Sequence, residues 1–152
     1  MRRSVAILAA CGILLSAVPA RAASTPVINV ATYGIELCPQ SICGAAIFTG
    51  FLVGQVGSRT NAAGTFVVAV THQDLPAPFE TSAITGGSFQ LQIGFRTISG
   101  VVSGGTLFNN GDNTFTVDAT LTILSGGSGT LHYRGLLNHN VFPPTVIGPL
   151  TQ

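Results

Sequence analysis

The sequence predicts an all-β domain in which antiparallel strands form an up-and-down meander that closes into a small barrel, with a β-sandwich as the alternative. Residues 88–96 and 114–124 alternate apolar and polar side chains, as half-buried antiparallel strands do. Glycine and proline interrupt the rest of the chain at short intervals, and no segment combines a 3.6-residue apolar period with helix caps. These observations favour strands over helices throughout.

The N-terminus has the pattern of a secretory signal peptide. Arg2 and Arg3 precede an uncharged apolar run, which ends at Pro19 and is followed by the small-x-small sequence Ala20-Arg21-Ala22. The apolar run is shorter than the roughly 20 residues that a membrane-spanning helix needs. We therefore expect a cleaved leader and no transmembrane segment after its removal.

This leader covers residues 1–22, with cleavage between Ala22 and Ala23, and residues 23–152 are expected to form a single all-β domain. Export to the periplasm, the cell surface or the extracellular medium follows from the leader. The alternative is a lipid-modified Cys11, because Leu8-Ala9-Ala10-Cys11 has the form of a bacterial lipobox.

The charge of the expected mature chain bears on its partners. Three arginines remain against five acidic residues, there is no lysine, and the formal charge is therefore −2. So few cations cannot neutralise many phosphates, which argues against nucleic-acid binding and against adhesion to an anionic membrane surface.

Cys38 and Cys43 are an even pair in a chain expected to be exported, and we expect them to form a disulfide. Redox chemistry is disfavoured because the spacing is not C-x-x-C, and a zinc site would need two further ligands.

The strands are predicted in chain order. They cover residues 25–37, 45–56, 65–72 and 88–96, followed by a meander over 98–137 whose middle strand is 114–124. Residues 72–83 form the one long connection, with room for a short helical turn. In the middle strand of the meander, one face carries Phe115, Val117, Ala119, Leu121 and Ile123.

Two strands receive more specific predictions. Alternation places Phe95 on the same face as Phe89, Leu91 and Ile93. Strand 45–56 is apolar on both faces and contains Gly50 and Gly54, which indicates either a cavity inside a barrel or tight packing and curvature. If a ligand pocket exists, Phe48 and Phe51 are its predicted lining residues.

The glycines of residues 126–129 raise the question of a phosphate-binding loop. Such a loop needs a helix behind it and, in its best-known form, a lysine, but a strand-like segment follows and the chain has no lysine. We therefore predict a hairpin with a three-residue glycine loop, which sets Leu121 opposite Tyr133. For the preceding hairpin, Asn110-Gly111 predicts a two-residue turn that sets Ala119 opposite Val102.

Few residues suggest catalysis or metal binding. His72, His132 and His139 could hold a metal, but the last two have opposite strand parity, so no metal site is predicted. His72-Gln73-Asp74 could supply half of an acid–base pair, but a polar strand end is the preferred interpretation. Glu36 and Glu80 are interpreted as lone carboxylates in loops. No nucleophile elbow is present, and no catalytic residue or cofactor is predicted.

The segment GGSGTLHYRG, residues 126–135, resembles the Gly-Gly-Thr-Gly-x-Phe strand of dirigent and allene oxide cyclase-like barrels, including bacterial secreted relatives. The resemblance covers the last third of the chain, and ITGGSFQL, residues 84–91, has a similar character. The resemblance implies an eight-stranded antiparallel barrel with a central cavity for a small apolar molecule. No acidic motif of the family is found in the first strands, so no catalytic residue is carried over.

Two functions are consistent with these observations. The first is an exported β-barrel that binds a small apolar ligand, and the second is a structural or adhesive surface module without a pocket. A pocket lined by Phe48, Phe51 and their neighbours favours the first, whereas a filled interior favours the second. An enzyme ranks third, and the oligomeric state is not indicated.

Overall fold

Eight β-strands follow one another along the chain in the computed structural model, which describes residues 27–38 and 45–152. Each strand is antiparallel to the next, and the last pairs with the first, so the sheet closes into a barrel. The strands are β1 (Ile28–Cys38), β2 (Ala46–Val56), β3 (Arg59–His72), β4 (Thr81–Ile93), β5 (Arg96–Asn109), β6 (Thr114–Ser125), β7 (Thr130–Asn138) and β8 (Thr145–Thr151). The predicted all-β, up-and-down barrel is confirmed.

Several sequence-based expectations fall on residues outside the described ranges. The leader, its cleavage site at Ala22 and Ala23, and Cys43 all belong to this group. Cys38 is described as the last residue of β1. Export and the disulfide therefore stay predictions.

The alternation of side chains gives each strand an inner and an outer face. All five apolar residues predicted to share a face of β6 point into the barrel. Phe89, Leu91 and Ile93 do so on β4, but Phe95 does not. That phenylalanine lies in the turn after β4 and is fully exposed, because the strand ends before the alternation in the sequence does.

The hairpin between β6 and β7 has a longer loop than the sequence predicted. Leu121 lies opposite Leu131 and Ala119 opposite Tyr133, so the predicted pair of Leu121 with Tyr133 is wrong. The error is a shift of two residues along one strand. Because side chains alternate with a period of two, this shift keeps every residue on its predicted face and changes only its partner.

The hairpin between β5 and β6 also differs from the prediction. Val102 lies opposite Leu121 rather than opposite Ala119. A type I′ turn needs positive φ at both central residues, but only Gly111 has it, at 84°, whereas Asn110 does not. The connection is therefore a wider loop in which Asn110 N–H donates to the carbonyl oxygen of Thr114.

The long connection predicted over residues 72–83 is shorter in the structure. It spans residues 73–80, because β4 begins at Thr81, and it contains bends and a turn in place of the helical turn that the sequence allowed.

The interior of the barrel is filled at one end and hollow at the other. The filled end, where the β2–β3, β4–β5 and β6–β7 hairpins turn, contains the most deeply buried side chains, among them Ile28, Val30, Leu52, Ile98 and Leu131. The opposite end, here called the mouth, is where β3, β5 and β7 end and β4, β6 and β8 begin. Apolar packing at the filled end supplies the core that a barrel of this size needs.

Closure of the barrel joins the two ends of the described chain. Besides the ladder between β1 and β8, the Thr32 Oγ1 donates to the carbonyl oxygen of Gly148 at 2.9 Å. The Gln152 N–H donates to the carbonyl oxygen of Ile28 at 2.8 Å, at the filled end. A long-range pairing therefore completes a sheet whose other contacts join consecutive strands.

Candidate functional site

A cavity of about 400 Å³ occupies the mouth half of the barrel. It reaches the surface between the loops at residues 73–80 and 139–144, which contribute Leu75, Val141 and Phe142. Most of its wall is apolar and comes from the inner faces of the strands, namely Ala46, Phe48, Phe66, Val68, Val70, Ile84, Leu91, Val102, Leu107, Val117, Ala119, Leu121, Leu137, Val146 and Leu150. Its volume and lining match those of small-molecule sites, which range over about 300–1,000 Å³.

The two predicted pocket residues lie on opposite sides of the barrel wall. Phe48 is on the inner face of β2 and lines the cavity. Phe51 is 69 % exposed on the outer face, opposite Tyr33 of β1, so its predicted place in the pocket is wrong. The physical reason is strand geometry, since residues three apart on one strand point to opposite faces.

The glycines of β2 face inward and bring neighbouring backbones close together. A Cβ at Gly50 would lie 2.1 Å from the carbonyl oxygen of Tyr33, so only glycine fits against β1 there. Of the two sequence-based interpretations, tight packing and curvature describe the role of Gly50, while the cavity lies beside larger residues such as Phe48.

A carboxyl group and an imidazole form the polar part of the cavity at the mouth. The Glu36 Oε2 and the His139 Nε2 approach to 3.0 Å, and the two side chains are 4 % and 24 % exposed. Glu36 reaches the interior because Thr32, Gly34 and Glu36 share the inner face of β1. The Glu36 N–H donates to the carbonyl oxygen of Pro144, which fastens this end of β1 to the loop at residues 139–144.

The position of His139 is fixed from two sides. Its backbone N–H donates to the carbonyl oxygen of Asn113 at 2.9 Å, and its ring lies 5.1 Å from that of Phe115 in a tilted arrangement. Asn113 has a φ of 60°, a left-handed conformation that asparagine tolerates better than most residues. Asn140, the next residue, donates through Nδ2 to the carbonyl oxygen of Asp112. The loop at residues 110–113 thus holds the imidazole over the cavity.

Tyr133 places a second polar group deeper in the cavity, from the inner face of β7. Burial raises the pKa of Tyr133 to about 12, and a polar contact with the Thr32 side chain opposes that effect in part. The hydroxyl group lies over Gly135, where a Cβ would be only 2.0 Å from the phenolic oxygen. The absence of a side chain at Gly135 therefore makes room for the phenol.

Three polar atoms of the cavity wall are buried without a well-formed hydrogen bond to any described residue. They are the Glu36 Oε2, the His139 Nε2 and the Tyr133 hydroxyl group. The carboxyl and imidazole atoms are close to each other, but the angles between them do not make a hydrogen bond. Buried polar atoms are satisfied in most proteins, so exceptions that face one cavity point to a function for that cavity.

Of the other two histidines, one lines the cavity and the other lies outside it. His72 ends β3, lines the cavity and contacts the backbone carbonyl oxygen of Gln73 through Nδ1. His132 is exposed on the outer face of β7, opposite Thr120. Within residues 27–38 and 45–152, no group of three or more histidine, cysteine, aspartate or glutamate side chains could hold a metal ion.

The glycine-rich segment at residues 126–129 connects β6 to β7. Two of its glycines have positive φ, Gly126 at 77° and Gly129 at 104°. The guanidinium group of Arg96 donates to the carbonyl oxygen of Gly126 from both Nε and Nη2, at 3.1 and 2.7 Å. The loop therefore offers a backbone oxygen to a cation, which is the opposite polarity to a phosphate-binding loop.

The sequence-based interpretation named Glu36 and His139 without placing them in the pocket, and it did not propose Tyr133 as a site residue. Glu36 was placed in a loop, but it belongs to β1 and is buried. Alternation from Ile28 through Val30 to Thr32 already assigns even-numbered residues to the inner face, so this signal was present. His139 lies in a loop between strands, where side chains do not alternate regularly, so the sequence gives no comparable signal for its position.

Comparison with protein-family models, with curated proteins and with solved structures finds no match to this chain. A helix able to cross a membrane is not found among the described residues. The resemblance to dirigent and allene oxide cyclase-like barrels stays a prediction, and the candidate site is defined by its own geometry: an apolar cavity with polar groups at two depths.

Proposed function

We propose that the protein binds a small, largely apolar molecule in the mouth half of its barrel. The observation that carries this proposal is the cavity of about 400 Å³ inside a barrel whose other end is filled. Small barrels are commonly filled by side chains along their whole length. A hollow apolar half supports ligand binding over the alternative, a structural or adhesive module with a filled interior.

Binding can be tested with a neutral apolar fluorophore, N-phenyl-1-naphthylamine, and two variants of adjacent residues. Val68 lines the cavity, and Val67 is half exposed on the outer face of β3. Val68→Phe fills part of the cavity and is expected to weaken fluorophore binding about tenfold or more, whereas Val67→Phe leaves it unchanged.

Circular dichroism and thermal unfolding show whether each variant is folded. If Val68→Phe does not fold, Val117→Phe serves as a second cavity-filling variant. If folded wild-type protein does not bind the fluorophore, or if Val67→Phe and Val68→Phe bind it equally, the cavity is not a binding site and the structural-module alternative is favoured. Mass spectrometry of native protein from its own host would identify a co-purifying molecule.

Export is part of the same proposal. The supporting observation is the charged, apolar and small-residue pattern of residues 1–22. N-terminal sequencing of the processed protein is expected to begin at Ala23, and a lipid-modified Cys11 at the N-terminus would refute this cleavage site.

A disulfide between Cys38 and Cys43 is proposed for the exported form. Thiol titration of denatured, unreduced protein is expected to find no free thiol. Reduction should lower the free energy of unfolding by only about 2 kcal/mol, because the closed loop is short. Two titratable thiols per mature chain would contradict the disulfide.

A further inference from the structure

The polar atoms in the cavity wall restrict the chemistry of the molecule that can fill it, and this inference rests on the proposed function. The Glu36 Oε2, the His139 Nε2 and the Tyr133 hydroxyl group lack a well-formed hydrogen bond to any described residue. A purely apolar ligand would add no hydrogen bond to any of the three atoms, and the described residues would then offer them only the carboxyl–imidazole approach at 3.0 Å and the contact of Tyr133 with Thr32, which leaves a free-energy cost in a water-excluded site. A ligand with matching polar groups removes that cost.

The polar atoms lie at two depths. Tyr133 contacts the Thr32 side chain, and Thr32 and Glu36 are four residues apart on the same face of β1. At about 3.3 Å per residue, the backbone positions of Thr32 and Glu36 are roughly 13 Å apart along β1. Gly34, between them, carries no polar side chain. The wall therefore offers one polar position at the mouth, one in the interior and an apolar stretch between them.

The charge of the wall selects against an anionic ligand. Glu36 already places a carboxyl group at the mouth, no arginine is among the described residues that line the cavity, and the chain contains no lysine. A carboxylate or phosphate group at the mouth would meet that carboxyl group, and the basic groups among the described lining residues are two imidazoles, those of His72 and His139, with no guanidinium or ammonium group. A hydroxyl group, which both donates and accepts, matches the acceptor at Glu36 and the ring nitrogen at His139.

We propose that the ligand is an elongated, uncharged apolar molecule with a hydroxyl group at or near each end. One hydroxyl group binds at the mouth beside the Glu36–His139 pair, within hydrogen-bond distance of both side chains. The other binds the Tyr133 hydroxyl group in the interior, and the apolar part between them packs against the wall.

Displacement of N-phenyl-1-naphthylamine by three probes of equal chain length tests this proposal. The probes are 1,10-decanediol, 1-decanol and decanoate, whose extended length is close to the roughly 13 Å between the backbone positions of Thr32 and Glu36. The diol is expected to bind several-fold to about tenfold more tightly than the alcohol, and the alcohol more tightly than decanoate, since each matched hydroxyl group adds one hydrogen bond. This comparison uses wild-type protein and requires no variant to fold.

Two variants assign the preference to its residues. Tyr133→Phe is expected to remove the advantage of the diol over the alcohol, and Glu36→Gln is expected to reduce the preference for the alcohol over decanoate. Matched controls are Tyr33→Phe on the outer face and Glu80→Gln in the exposed loop at residues 73–80, both of which should keep the wild-type order.

The outcomes separate the two proposals. If the fluorophore binds and all three probes displace it with equal affinity, or decanoate binds most tightly, the proposed ligand chemistry is wrong while cavity binding stands. If the wild-type order is unchanged in both Tyr133→Phe and Glu36→Gln, the assignment of the polar positions is wrong. If the fluorophore itself does not bind, the proposed function fails.

Discussion

Glu36 and Phe51 show at the scale of single residues how strand parity decides what faces the cavity. Glu36 is a charged residue type that lies inside, and Phe51 is a large apolar residue that lies outside. Residue type predicts the opposite in both cases. Alternation along β1 and β2 assigns both correctly, because even-numbered residues of these strands point inward. The inner face could therefore be predicted from the sequence, whereas the contact of Glu36 with a loop histidine could not.

The buried phenol of Tyr133 gives a prediction for alkaline pH. The chain has two tyrosines, and burial raises the pKa of Tyr133 from 10.0 to about 12. Ultraviolet titration of the folded protein is expected to show a phenol that ionises near pH 12, and this step should disappear in Tyr133→Phe and persist in Tyr33→Phe. A Tyr133→Phe variant that keeps the late step would contradict the assignment.

The same shift affects stability. The folded protein favours the neutral phenol, so the unfolded chain ionises first as the pH rises. The contribution of Tyr133 to stability is therefore complete below about pH 10 and is lost as the pH approaches about 12. Urea unfolding across this range should show a steeper loss for wild-type protein than for Tyr133→Phe.

At the scale of elements, the hairpins show which part of a strand register the sequence determines. Alternation correctly predicts the faces of β6, but a shift of two residues leaves those faces unchanged, so alternation cannot choose between such registers. Loop length makes the choice. In the β5–β6 hairpin, the register depends on irregularities in the β5–β6 pairing near Gly104 and on the left-handed conformation of Asn113. Neither feature has a clear sequence signal.

Gly126 gives the prediction at this scale. Its φ is 77°, and a Cβ there would lie 2.0 Å from the carbonyl oxygen of Thr97 on β5. Gly126→Val is therefore expected to lower the free energy of unfolding by at least about 2 kcal/mol, from backbone strain and a clash with a neighbouring strand. Gly127→Val is the control, since Gly127 does not have a positive φ, and should cost clearly less. Equal losses in urea unfolding would show that the close approach at Gly126 is not what requires glycine.

At the scale of the whole molecule, stability and the proposed binding site occupy different halves of the barrel. The sequence predicts an antiparallel meander but leaves a sandwich open, because the pairing that closes the barrel joins β1 to β8 across most of the chain. Thr32 and Gly148, which share one of its hydrogen bonds, are 116 residues apart. Local patterns carry no information on such a pairing.

Two leucines on the inner face of β7 test this division. Leu131 is fully buried at the filled end, whereas Leu137 is buried beside the cavity. Leu131→Ala should lower the free energy of unfolding by about 2–5 kcal/mol. Leu137→Ala should cost less, because part of its surroundings is already open space and fewer packing contacts are lost. Equal costs in urea unfolding would indicate that the mouth half is packed as tightly as the filled end.

The meeting of Ile28 and Gln152 at the filled end has a consequence for how the molecule can be oriented. Both ends of the described barrel lie at the filled end. A tether or fused domain attached to either would therefore hold the protein by its filled end, with the mouth facing away from the attachment point. A protein immobilised through its filled end would keep the cavity accessible to molecules in solution. Loops at the mouth could also be exchanged to alter ligand selectivity without disturbing the packed filled end, where the two ends of the described chain meet.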